Sequence, residues 1–162
     1  MNFHKGGDLR YHLVTNRTFS EEQTTFLIAC VIQGPSYIHA RQVIHRDLNP
    51  ENLIFDTKGY LRITDFGIAR VAVEDGSLAG EMSGTPGYMA PEVMCKMDHS
   101  ISADYYALGV IAYECMLGCR PYNGKNRKEI RSAILERQVK IHQDMIPSGW
   151  STEAADFINE CI

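Results

Sequence analysis

No apolar run in this chain approaches the length needed to cross a bilayer. Its first residues, MNFHKGGDLRYHL, lack the apolar core of a signal peptide. A basic surplus is missing too: 16 Lys and Arg stand against 20 Asp and Glu, for a net charge of −4 and a pI near 5.8. That balance argues against nucleic acid or an anionic membrane as partner. Paired cysteines are lacking: Cys30, Cys95, Cys115, Cys119 and Cys161 are odd in number and form no CxxC. A disulfide framework and a zinc site are therefore not expected, and reduced thiols in a cytoplasmic protein are. Repeats and low-complexity tracts are absent. What remains is ordinary: 162 residues, 44% hydrophobic and 22% charged, the composition of one domain with a real core.

The pattern along the chain predicts mostly helix. Ser20 is placed to cap a long helix, with Gln23 at the reciprocal position of a capping box. Leu27, Cys30, Val31, Gly34 and Ile38 continue it at helical spacing. Gly34-Pro35 predicts a kink or an early break, because a mid-helix proline loses a backbone bond at a cost of about 3 kcal/mol. Val43-Ile44 precedes a polar loop. Leu53-Ile54-Phe55, the turn Asp56-Thr57-Lys58-Gly59 and Tyr60-Leu61-Arg62-Ile63 then predict a short hairpin. Asp75 to Gly87 reads as a long loop, Ala103 to Leu117 as a buried helix, and Lys128 to Gln138 as an amphipathic one. Ser151 is placed to cap a last helix running to Ile162. The expected fold class is mainly α with a small β-hairpin.

Three segments carry chemistry: His45-Arg46-Asp47-Leu48-Asn49-Pro50-Glu51-Asn52, Asp65-Phe66-Gly67, and Gly84-Thr85-Pro86-Gly87-Tyr88-Met89-Ala90-Pro91-Glu92. Asp47 and Asp65 stand 18 residues apart with the predicted hairpin between them. Each tripeptide alone is weak, but in this order they resemble the catalytic loop, the metal-binding turn and the end of the activation loop of a Ser/Thr protein kinase. Phosphoryl transfer needs positioning and charge neutralisation more than covalent help. The resemblance implies Asp47 as the carboxylate facing a substrate hydroxyl, with Arg46 and Asn49 beside it. It implies Asn52 and Asp65 as oxygen ligands for Mg2+, and Asn52, Asp65 and Ile54 as the ATP-binding positions. Thr85 is expected to be a structural, substrate-positioning hydroxyl. Asp104 matches the aspartate that braces the catalytic-loop backbone; a helix N-cap is its plainer reading. His45 and Phe66 match two packing members of the apolar column that links the lobes.

The resemblance covers nearly the whole chain. Gly6-Gly7-Asp8-Leu9 looks like the segment just after the hinge. Residues 1–162 therefore read as a partial catalytic domain, a kinase-like C-terminal lobe with the N-terminal lobe absent and the last helices cut off. The phrases GGDLRYHL and RITDFGIA are similar to the AGC group, and closest to the yet-another-novel-kinase subfamily and ciliate relatives. Asp8, Glu51 and Glu114 match positions where basophilic kinases present carboxylates to arginines upstream of the target. The implied partner is a protein substrate with basic residues before its Ser or Thr.

Several departures count against turnover. The 162 residues contain no glycine-rich phosphate loop and no Val-Ala-Ile-Lys-like strand. Asn49 stands where the family has a charged lysine, and Pro35 threatens the placement of Asp47. The arginine that pairs with Glu92 in the family has no match, so Glu92 is expected to stand unpaired. Glu81 is expected as a plain exposed loop glutamate, the alternative being a built-in partner for Arg46 in place of a phosphate. Ser77 and Ser83 are candidate phosphorylation sites. An ATP- and Mg2+-dependent Ser/Thr kinase, present as a fragment inactive by itself, is the leading expectation. A pseudokinase-like binding module without catalysis is its rival.

Overall fold

A computed structural model describes residues 6–72 and 76–162. Asp75, the first residue of the expected long loop, lies outside the described residues.

The chain begins with α1 (Leu9–Asn16), capped by Asp8, whose carboxylate accepts the Tyr11 amide at 2.7 Å. Sequence reasoning missed this helix. α2 (Glu21–His39) starts where its capping box predicts: Ser20 accepts from the Gln23 amide, and the Gln23 side chain accepts from the Ser20 amide. The expected early break at Gly34-Pro35 does not occur, and α2 runs on to His39. Tertiary packing overrides the local cost. Pro35 is buried, and a Cβ on Gly34 would sit 2.3 Å from Ile63 Cδ1, so glycine lets the hairpin close onto the helix.

That hairpin pairs β2 (Leu53–Phe55) with β3 (Leu61–Ile63) in antiparallel register, Leu53 opposite Ile63. It is not the only sheet. β1 (Val43–Ile44) pairs with β4 (Arg70–Val71), which was not anticipated and which ties the loop after the Asp65 turn back to the start of the loop that holds Asp47.

The short α3 (Pro91–Met94) follows a loop from residue 76 to 90 that forms one isolated bridge, Leu78 with His99. α4 (Ser102–Leu117) is buried almost all round, as its apolar sequence requires, and ends at Gly118 in the left-handed conformation. α5 (Arg127–Glu136) and α6 (Thr152–Cys161) complete the fold. Asn126 caps the former and Ser151 the latter.

The main core gathers Leu9, Leu27, Val31, Leu53, Met94 and Ile158 around α4. α2 and α6 both pack on α4, and α1 covers the start of the hairpin. Cys115 lies in this core, where burial pushes its thiol up to about 12, so it is inert filler at neutral pH. No helix among the described residues is long and apolar enough to cross a membrane.

Candidate active site

The site is built on the first turn of α4. Asp104, 1% exposed, accepts the backbone amides of His45 at 2.9 Å and Arg46 at 2.8 Å, and bonds His39 Nε2 at 2.7 Å. It is not the N-cap; Ile101 holds that position without a side-chain bond. Arg46 adopts φ 69°, a strained conformation for a non-glycine residue, and the Asp104 bonds hold it there.

Asp47 sits at the centre. Its Oδ1 accepts from the Thr85 amide at 2.8 Å, the Thr85 hydroxyl at 2.7 Å and Asn49 Nδ2 at 3.1 Å. Its Oδ2 accepts from Asn52 Nδ2 at 3.0 Å. Gly84 makes this approach possible: at φ 111°, a Cβ there would lie 2.5 Å from the Arg46 carbonyl oxygen. Asn49, 2% exposed, also caps the 3-10 turn Pro50–Asn52 by accepting the Glu51 and Asn52 amides. A second donation from its Nδ2, at 3.1 Å, reaches the Thr85 hydroxyl.

The Asp65 turn joins this web through Thr64, whose amide and hydroxyl donate to the Asn52 carbonyl at 2.9 and 3.0 Å. His45 Nε2 meets the Thr64 carbonyl at 3.1 Å, while its Nδ1 accepts the Asp47 amide at 3.3 Å. A neutral ring protonated on Nε2 satisfies both. Phe66 packs edge-on to His45, ring centres 4.8 Å apart. Asp65, exposed and at φ 59°, bonds the Gly67 amide at 3.1 Å. Asn52 spends its amide hydrogens on Asp47, and its side-chain oxygen has no partner among the described residues. That oxygen and the Asp65 carboxylate are hard donors of the kind Mg2+ accepts beside phosphate, so the residues present fit the ion. Ile54 lies at the margin, in β2, bridged to Asp8.

The Arg46 side chain, 2% exposed, donates from Nε to the Ile68 carbonyl at 2.8 Å and from Nη1 to Glu81 Oε2 at 2.8 Å. Glu81 is therefore not a plain loop glutamate. Its hydrogen bond with Arg46, and then the Arg46 charge, hold its carboxyl below the usual range. Arg46 Nη2 is buried without a partner among the described residues.

The three expected substrate carboxylates differ. Glu51 is exposed, and Asp8 doubles as the α1 cap. Glu114 is not a free carboxylate: it is 7% exposed and held by Arg10 at 2.8 and 3.2 Å and by the Tyr88 hydroxyl. Arg10 also donates to that hydroxyl. Burial opposes the Arg10 charge, but the Glu114 hydrogen bond and the Tyr88 and Glu114 fields outweigh it and raise its pKa. Burial, then Glu114, pushes the Tyr88 hydroxyl up. Sequence reasoning gave Arg10 no role. Its partner lies 104 residues away, and no local signal marks it. Glu92 makes no ion pair among the described residues.

The family model described as "Protein kinase domain" matches residues 1–162. The chain is 34% identical over 151 residues to the RAC-beta serine/threonine-protein kinase of Homo sapiens, covering 93% of this chain and 31% of that protein. It is 37% identical over 158 residues to Ribosomal protein S6 kinase alpha-1 of Homo sapiens, covering 98% and 21%. It is 38% identical over 143 residues to Ribosomal protein S6 kinase 2 alpha of Xenopus laevis, covering 88% and 20%. The chain thus spans a fifth to a third of the length of these relatives.

Proposed function

From the premise that this chain belongs to the protein kinase family and resembles the AGC serine/threonine kinases, we propose that it forms the C-terminal-lobe part of a catalytic domain that transfers a phosphoryl group to a protein Ser or Thr. Mg-ATP, bound at Asn52 and Asp65, would supply the phosphoryl group and neutralise its charge.

The observation that carries the reading is the occupancy of Asp47. Its Oδ1 already accepts three hydrogen bonds, and its Oδ2 only one. A carboxylate oxygen has two lone pairs, so Oδ2 is the atom with room for a substrate hydroxyl. The donors around Oδ1 fix the ring of partners and aim that free lone pair, which is the positioning this reaction needs. Thr85 orders the loop beside it. Asp8 and Glu51 keep carboxylates available for basic residues of a substrate; Glu114 does so only where Arg10 gives way.

Asn49 favours a second reading, a binding module without turnover. An amide brings no charge to the transferred phosphate, a deficit on the order of 2.7–4 kcal/mol of barrier by analogy with a lost oxyanion donor. Its side chain is also committed to Asp47, Thr85 and the 3-10 turn.

The two readings separate in an assay of the full-length product of the locus with Mg-ATP and an Arg-containing Ser peptide. Transfer that falls by about 10²–10⁴ in Asp47→Asn supports catalysis. No transfer, together with no thermal shift at millimolar Mg-ATP, overturns it in favour of the binding module.

A further inference from the structure

Outside the residues that surround Asp47, four cations line one surface hollow of about 330 Å³: Lys96 after α3, and Arg127, Lys128 and Arg131 on α5, with Met82 also in its lining. Among the described residues no carboxylate lines it, in a chain whose net charge is −4. All four cations are exposed, and none makes an ion pair with another described residue. Three of the acids nearby in sequence are committed elsewhere. Glu81 holds Arg46, Asp98 accepts the Gly80 amide, and Glu129 accepts the Lys125 amide and Asn126 Nδ2. Uncompensated like charges on one wall repel one another and favour an anion between them.

The hollow lies close to Asp47 by way of Thr85. Met82 precedes Thr85 by three residues, a span of at most about 11 Å even when extended. The Thr85 hydroxyl is 2.7 Å from Asp47 Oδ1. A polypeptide whose hydroxyl meets Asp47 therefore reaches the hollow within a few residues.

We propose that this hollow is a docking site for an acidic segment of the protein substrate, a run of carboxylates or phosphoserines a few residues from the target hydroxyl. The inference rests on the kinase reading and adds a second sign to its specificity: carboxylates Asp8 and Glu51 for basic residues, this cation cluster for acidic ones. A lipid headgroup offers the same charge. Nearness to the loop that holds Asp47 favours a chain already bound there.

The test uses the full-length product and two peptides that share an Arg-containing Ser target and differ in a tail of five Glu or five Gln. At low ionic strength kcat/KM for the Glu tail is expected to be about tenfold higher, carried by KM. The preference falls toward one in R127Q/R131Q and again in K96Q/K128Q, and when ionic strength rises from about 0.05 to about 0.5 M. Lys140→Gln, an exposed cation outside the hollow, keeps the tenfold ratio. Fluorescence anisotropy of a labelled Glu-tail peptide reads capture without turnover. Capture that R127Q/R131Q abolishes, with no phosphoryl transfer, supports the docking site while the kinase reading fails. Equal kcat/KM for both tails overturns the docking site and leaves the kinase reading intact. Charge-dependent binding to phosphatidylserine vesicles with no tail preference overturns it in favour of a membrane surface.

Discussion

Asp47 and Asp65 are the same residue type on neighbouring loops, and the protein holds them in opposite ways. Asp47 is half-buried and accepts four hydrogen bonds from Asn49, Asn52 and Thr85. Asp65 is exposed and accepts one, from the adjacent turn. A group whose partners lie within the protein is fixed before any ligand arrives. A group left open is completed by what binds. The difference separates residues that shape the site from residues that wait for its contents, and it makes stability and activity respond differently to mutation.

The sharpest break in that contrast lies behind Asp47. Asp104→Ala removes the acceptor for the His45 and Arg46 amides and for His39, all buried. Loss of a buried charged partner of this kind costs about 3–5 kcal/mol, seen as a large drop in urea midpoint, and it should scatter the Asp47 side of the site. Asp47→Ala removes the acceptor of the Thr85 amide and hydroxyl and one of the acceptors of the Asn49 and Asn52 side-chain amides, for about 1–3 kcal/mol by denaturant titration. Asn49→Lys tests the other side of the cradle. It should cost about 1 kcal/mol through the lost cap yet raise turnover, a stability–activity trade read from the same two assays. Asp65→Ala should change stability by less than about 0.5 kcal/mol while removing any Mg-ATP thermal shift. If Asp65→Ala destabilises as much as Asp47→Ala, the contrast is wrong.

The smallest effect is confined to acid. The Glu81 carboxyl is held below its ordinary range, so its pairing with Arg46 contributes fully above that range and is lost as pH falls through the lowered value. Limited proteolysis of the loop should quicken as pH drops in that window. Glu81→Gln should flatten the dependence.

Much of this was legible in the sequence because its signals are local. The Ser20–Gln23 capping box, the apolar run of α4 and the Ser151 cap each lie within a turn or two of what they specify. α1 was hidden because only Leu9 and Leu13 are buried, while Tyr11 and Val14 face solvent and blur the periodicity. The β1–β4 pair has two residues per strand and no pattern to detect. At Pro35, which is buried, the helix runs on past the expected break. The order of the motifs pointed to Asp47, Asn52 and Asp65, but not to the pairs Arg46–Glu81 and Arg10–Glu114, separated by 35 and 104 residues. Ion pairs at that separation depend on the fold having formed. The amphipathic pattern of α5 does not show that Lys96 and Met82 share a hollow with its cations; only the fold does.

Asp104 also sets a clock. Because one carboxylate at the foot of the most buried helix grips the amides of His45 and Arg46, those two hydrogens have no local way out to solvent. Their exchange for deuterium should proceed only when α4 itself lets go, at the slow rate of the deepest core amides, although they belong to a loop.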